Sequence, residues 1–263
     1  MPGRTAEDIL SLEYRTVLTA FARSRCLLGF DFDGTLAPAA RDPDRAAIRA
    51  STLGLLSELC LLYPCVVISG RSCADLRRRV RGLGFKGIVG NHGVEPFQAP
   101  RLVHGRVKAW RPRFEAALRG ETGVRIEERT YALAIHVRHA RAKGRARRII
   151  GDVASQLDGA KLAEGRDVSS IVPAEALHKG IALERERARL RCDTAIYVGD
   201  GGADEDVFEL DQPGRLLTIR IGRKEGSCAD FCVRGQRQVD QLLRRLIGLR
   251  GRPGARSAAL RGA

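Results

Sequence analysis

Aromatic side chains are scarce in this chain of 263 residues: they make up 5%, with a single Trp. Readers of single-stranded nucleic acid stack bases on aromatic platforms, so that mode is disfavoured despite a net charge of +15. Long apolar runs are missing as well. The most apolar stretch, residues 53–68, is interrupted by Glu58 and Pro64 and reads as a helix followed by a strand, not a membrane span. Residues 1–8 contain no apolar core of the kind a secretory leader needs, so a cytoplasmic location without a membrane partner is expected. Cysteine occurs seven times, an odd number, and Cys228 and Cys232 have no histidine nearby to complete a zinc site. All seven are expected to be reduced thiols. No internal repeat is visible, which argues against a solenoid.

Acids are outnumbered 31 to 46, and the imbalance is local. Residues 101–148 hold 14 Lys/Arg against 4 Asp/Glu, and residues 244–263 hold six Arg and no acid, which leaves the rest of the chain close to neutral. The basic middle either draws an anionic substrate or is a solvated arginine-rich surface. Residues 250–263, rich in Gly, Ala, Pro and Ser, read as a disordered tail. Charge alone suggests a nucleic-acid-binding protein as an alternative, but no recognisable motif supports it and no dedicated nucleic-acid partner is expected.

What is present is a set of polar groups at the ends of short apolar runs. Leu27-Leu28-Gly29-Phe30 stops at Asp31-Phe32-Asp33-Gly34-Thr35. Two carboxylates at the exit of a buried strand are costly unless paired or metal-bound, and a hard cation such as Mg²⁺ suits them. An ordinary Asp-Gly turn is the simpler alternative. Cys65-Val66-Val67-Ile68 stops at Ser69-Gly70-Arg71, where a hydroxyl and free N–H groups can hold phosphate oxygens. Lys179 opens the helical stretch 181–190; taken alone it is as well a solvated lysine, but there it can neutralise a phosphoryl group. Ala195-Ile196-Tyr197-Val198 stops at Gly199-Asp200, followed by Asp204, which can cap a short helix or support a metal's waters.

Helical stretches separate these strands, which predicts a parallel sheet in an α/β fold with ligands at the carboxyl ends. Residues 7–22 read as an amphipathic helix, and the strand–helix alternation runs over 25–98. From about 99 the pattern changes: a helix at 107–118, alternating strands at 124–128 and 132–138, a helix at 145–157 and a strand at 167–172. After Pro173 the parallel-type pattern returns, ending in a helix over 236–249.

The first acidic stretch resembles the opening motif of the haloacid-dehalogenase (HAD) phosphohydrolases, and Ser69, Lys179 and Asp200 follow in that superfamily's order. The resemblance implies a HAD-like Rossmannoid core with an inserted α+β cap: core over 1–98 and 174–249, cap over 99–173, with hinges near 99–104 and 173–178. It also implies Mg²⁺ held by Asp31, Asp33 and Asp200, with Asp31 as nucleophile and Asp33 as acid and then base. Ser69 and Lys179 would hold the phosphoryl oxygens.

A finer resemblance, to the trehalose-6-phosphate phosphatases, rests on D-F-D-G-T-L-A-P at 31–38, G-N-H-G-V-E at 90–95, E-R-T-Y-A-L-A-I-H-V-R at 128–138 and G-D-G-G-A-D-E-D-V-F at 199–208. It implies a sugar-phosphate substrate, most specifically trehalose 6-phosphate, bound by Gly70, Arg71, Asn91, His92, Glu128, Arg129, His136 and Arg138. Along 132–138 alternate residues face one way, which would pair His136 with Arg138. The chain departs from that pattern at Gly201, Ala203 and Ser170, where the family carries Asp, Thr and a sugar-binding Glu. Arg129 replaces the usual Lys, a different donor. These departures keep open a glucosylglycerol- or mannosylglycerate-type phosphate, and a non-catalytic HAD interaction module.

Overall fold

The computed structural model describes residues 6–40, 42–96, 101–129, 132–164, 167–173, 178–210 and 212–251. In chain order the strands and helices are β1 (Glu7–Asp8), α1 (Arg15–Arg23), β2 (Cys26–Phe30), α2 (Ala50–Leu62), β3 (Cys65–Ile68), α3 (Cys73–Arg79) and β4 (Gly87–Val89). Then come α4 (Arg101–Ala117), β5 (Arg125–Arg129), β6 (Ala132–His136), α5 (Lys143–Ser155), β7 (Ala160–Glu164) and β8 (Val168–Pro173). The chain continues through α6 (Lys179–Arg189), β9 (Thr194–Gly199), α7 (Glu205–Phe208), β10 (Leu216–Ile221), β11 (Phe231–Val233) and α8 (Val239–Arg250). The hinges expected near 99–104 and 173–178 include residues outside those described, and so does the tail expected over 250–263.

The larger sheet is parallel throughout, in the order β1-β11-β10-β9-β2-β3-β4. Its central strands β2 and β3 are buried along their whole length, as expected of strands covered on both faces. One face packs Leu28, Phe30 and Val67 with Leu18, Leu56 and Leu243 from α1, α2 and α8. The other packs Leu27, Val66 and Tyr197 with Leu183 of α6 and Phe208 of α7.

The smaller sheet is antiparallel, in the order β5-β6-β8-β7. Alternation gives it two unlike faces. Leu133, Ile135 and Ile171 meet Trp110 and Phe114 of α4 and Ile150 of α5 in a core separate from those of the large sheet. On the opposite face Glu127, Ala134, Ser170 and Ala163 lie side by side across the four strands.

The N-terminal segment departs from the helix expected over 7–22. Glu7 and Asp8 pair in parallel with Phe231 and Cys232. The Asp8 carboxylate then accepts Leu10 N at 3.0 Å, a side-chain turn that competes with helix formation. The helix starts only at Arg15, and Ile9 is buried against the sheet edge. All seven cysteines are free thiols. Among the described residues, no helix is long and apolar enough to cross a membrane.

α2 and α8 are tied by a buried acid. Asp240 accepts Thr52 Oγ1 at 2.6 Å, Ser51 Oγ at 2.9 Å and Arg49 Nη2 at 3.2 Å. Asp240→Ala strands these donors and is expected to lower stability by about 2 kcal/mol. A urea midpoint equal to wild type would contradict this account of the α2–α8 contact.

Candidate active site

β2 lies between β3 and β9, so the residues that follow these three strands meet at the carboxyl end of the sheet. They are Asp31, Ser69 and Asp200. The Asp31 N–H bonds to Val198 O at 2.9 Å and carries the ladder one residue past β2. The chain then folds back, with Gly34 N donating to Ala37 O at 2.8 Å and Ala37 N to Phe32 O at 2.9 Å. Gly34 has φ +82°, and a Cβ there would sit 1.9 Å from Asp200 Oδ2. A Cβ on Gly199 would sit 2.3 Å from Asp204 Cγ. Both glycines are therefore required for the carboxylates to approach one another.

Lys179, the first residue of α6, is buried and donates from Nζ to Asp31 Oδ1 at 2.6 Å and to Asp204 Oδ1 at 2.8 Å. Tyr197 OH donates to Asp204 Oδ1 at 2.6 Å, and Gly201 N to Asp204 Oδ2 at 2.8 Å. Asp204 thus holds the loop that precedes α7 and makes no side-chain cap to that helix. Burial raises the Asp31 carboxyl well above its usual range, against the pull of Lys179. Burial alone would lower Lys179, but Asp204 and Asp31 raise it above the usual ammonium value. Asp200 is pushed up to about 6 by burial and by the Asp204 charge.

The donor set fits a hard divalent cation. Carboxylate oxygens of Asp31, Asp200 and Asp204 lie within 4.8 Å of one another. Three carboxyl groups face one ammonium in a crowded space, an excess of acid that a divalent cation would balance, and all the donors are oxygens. Arg220, itself buried, shapes this loop from outside: Nη2 donates to Asp200 O at 2.7 Å and Nη1 to Glu205 Oε1 at 2.9 Å.

Asp33 stands beside this cluster with its side chain partly exposed. Its partner is Arg71, which chelates it through two bonds of 2.6 Å. Ser69 is buried, and its hydroxyl accepts Arg71 N at 3.3 Å. Gly70 packs against His92, whose Cε1 would lie 2.6 Å from a Cβ at position 70. Asn91 and His92 both have positive φ, 48° and 58°. The Asn91 side chain donates to Glu95 Oε1 at 2.7 Å, and His92 N bonds to Ser69 O at 3.0 Å. The geometry of Asn91 is that of a brace for the loop after β4, joined to α3 through Cys73 N and Glu95 Oε2.

On the small sheet the expected sugar-facing set is rearranged. β6 ends at His136, and Arg138 lies in the turn beyond it, so period-two pairing of these two side chains does not extend that far. Glu128 lies opposite Leu133 and bonds to Arg111 at 3.5 Å, on the side of the helices. Glu127 is the acid beside His136, with Nε2 and Oε2 2.7 Å apart. The side chain of Arg129 lies outside the described residues. The face bearing His136 is turned toward the large sheet: Lys161, on that face, pairs with Asp206 of α7.

Sequence reasoning did not find Tyr197, Glu127, Arg220 or the Asp75 described below. For Glu127 a signal existed: pairing Arg129 with Ala132 in the hairpin puts 127, and not 128, on the face of 134 and 136.

A family model described as trehalose-phosphatase matches residues 29–229. A trehalose-phosphate phosphatase of Mycobacterium ulcerans is 32% identical over 82% of this chain and 60% of its own. Trehalose 6-phosphate phosphatase RA3 of Zea mays is 26% identical over 91% of this chain and 74% of its own. The chain therefore spans about 60% of the length of the mycobacterial relative. Among solved structures, the trehalose-6-phosphate phosphatase C-terminal domain of C. albicans superposes with a TM-score of 0.77 at 20% identity, covering 93% of this chain and 99% of that one. That likeness shows the shared fold: an α/β architecture with a large parallel sheet.

Gly34→Ala tests the cation fit directly. A Cβ there displaces Asp200 and opposes the positive φ, so the rise in melting temperature that a divalent cation gives wild type is expected to vanish. An undiminished rise would show that Asp200 is not a ligand.

Proposed function

We infer that this chain, which belongs to the trehalose-phosphatase family, hydrolyses a sugar phosphate, trehalose 6-phosphate, through an aspartyl-phosphate on Asp31. The observation that carries the reading is the Lys179 bridge. It holds the Asp31 carboxylate in a fixed position at the end of β2, and Asp204 holds the lysine. An ammonium bonded to one oxygen of Asp31 offsets part of the cost of burying its ionised form and leaves its other oxygen to attack.

Mg²⁺, held by the carboxylates of Asp31 and Asp200 and the backbone carbonyl of Asp33, would neutralise charge on the phosphoryl oxygens. Asp31 forms a bond to phosphorus as the bond from phosphorus to the sugar oxygen breaks. Asp33 gives its proton to that oxygen. It then takes a proton from the water that attacks the phosphorus, which releases phosphate and restores Asp31. Ser69 and Lys179 hold the phosphoryl oxygens through their hydroxyl and ammonium. Residues 99–173 act as the cap over a core of 1–98 and 174–249. His136 and Glu127 on its inward face meet the sugar hydroxyls, where an unmatched buried polar group costs about 1–3 kcal/mol.

One observation favours a second substrate. The row across the inward face runs Glu127, Ala134, Ser170, Ala163, so the position where trehalose-specific relatives carry a second carboxylate holds a hydroxyl. A glucosylglycerol- or mannosylglycerate-type phosphate, whose phosphate-bearing part is a three-carbon unit with fewer hydroxyls than a hexose, needs fewer acceptors along that row.

Phosphate release over a panel of sugar phosphates tests both. Trehalose 6-phosphate is expected to exceed glucose 6-phosphate in kcat/KM by about tenfold or more. A glycosyl phosphate of the second type at the top of the panel selects the alternative, and no release from any member overturns the reading. Asp31→Asn is expected to abolish release while leaving the far-ultraviolet dichroism unchanged. EDTA is expected to silence the enzyme and Mg²⁺ to restore it.

A further inference from the structure

Asp33 is the end of a chain of charges that runs from beside the carboxylate cluster to α3. Arg71 uses Nε and Nη2 on Asp33, and its third nitrogen, Nη1, donates to Asp75 Oδ2 at 2.8 Å. Asp75 also receives Arg79 Nε at 2.7 Å and Arg78 Nη2 at 2.9 Å. Burial alone would raise Asp75, but Arg79, Arg71 and Arg78 hold its carboxyl well below the usual carboxylate range. The guanidinium groups of Arg71 and Arg79 both lie against the ring of Phe32, at 5.4 and 5.9 Å from its centroid. Phe32 is fully buried and sits in the chain between Asp31 and Asp33. Arg79 reaches on to the carbonyls of Ala46 and Asp44.

An arginine side chain has many rotamers, and a partly exposed carboxylate such as Asp33 has several orientations. What selects one orientation is the fork, and what orients the fork is its far end. Asp75 is on the first turn of α3, where Ser72 Oγ accepts Asp75 N at 3.2 Å, so its backbone is fixed independently of Arg71. The rigid element is therefore the helix, and the mobile groups hang from it in the order Asp75, Arg71, Asp33.

We propose that Asp75 is a positioning residue: its carboxylate fixes the Arg71 guanidinium, which fixes Asp33 in the orientation from which it passes a proton to the leaving oxygen. The proposal rests on the aspartyl-phosphate reading above. It also assigns Arg71 a role different from sugar binding.

Leaving-group dependence separates positioning from simple loss of stability. A sugar alkoxide needs its proton as the bond breaks, whereas p-nitrophenolate leaves without one. For Asp75→Asn, kcat on the best sugar phosphate of the panel is expected to fall about 10- to 100-fold, with KM within about threefold of wild type. On p-nitrophenyl phosphate kcat/KM, which reports only the step that forms the aspartyl-phosphate, is expected to stay within about threefold, while kcat falls because hydrolysis of that intermediate still uses Asp33 as base. Adding Asp75→Asn to Arg71→Ala should cost nothing further on the sugar phosphate, since the two act as one unit. Should Asp75→Asn fail to fold, Arg71→Lys serves, because an ammonium cannot grip both carboxylates and is expected to show the same split. Equal losses of kcat/KM on both substrates, or additive losses in the double variant, overturn the proposal while leaving the phosphatase reading intact. A wild-type protein that releases phosphate from no sugar phosphate removes both.

Discussion

One ammonium organises this molecule. Lys179 lies between Asp31 and Asp204, and without it three carboxylates would face one another at the end of a buried sheet. Removing one partner from such a buried set leaves an uncompensated charge, the costly case for ionic groups inside proteins. The surrounding sequence makes that cluster possible. Gly34 and Gly199 leave room for the acids, Tyr197 supplies a second donor to Asp204, and α6 starts with the lysine at the point where β2 and β9 end. The sheet order matters for the same reason: only because β2 has β9 on one side and β3 on the other do groups from distant parts of the chain meet.

The places of Asp31, Ser69 and Asp200 were legible in the sequence because they are local. Asp31, Ser69 and Asp200 each follow an apolar run directly, so reading the run to its end names the residue. The relations among them are not local. That Asp204 turns to Lys179 and Tyr197, and away from the helix it precedes, depends on two other elements arriving at the same place. The helix expected over 7–22 failed for a related reason: its apolar spacing was real, but Ile9 serves the edge of a sheet whose partner strand is more than two hundred residues away. On the small sheet a one-residue difference decided the outcome. Glu127 and Glu128 are equivalent in composition, and only the pairing register puts the first beside His136 and turns the second toward Arg111.

The two sheets differ in chemistry. The large one gathers charge at the carboxyl ends of its inner strands, where Asp31, Asp204 and Lys179 are buried together. The small one offers a face, with His136 and Glu127 on one side of a row of small residues. β7 borders the Gly202–Asp204 turn and Lys161 reaches Asp206, so the face of one sheet and the strand ends of the other meet next to the acidic loop. Basic residues concentrated on α4 and α5 lie behind the small sheet, away from that meeting point, and Arg111, Lys143 and Arg145 are engaged there with Glu115, Asp167 and Glu121.

The single tryptophan has a use that is independent of the chemistry. Trp110 is buried in the core between α4 and the small sheet, and no tryptophan lies in or behind the large one. Emission excited at the red edge of protein absorbance therefore comes from the small sheet alone, while dichroism reports both. Following the two signals side by side through a melt turns an accident of composition into a readout of whether the layers unfold as one cooperative unit or as two.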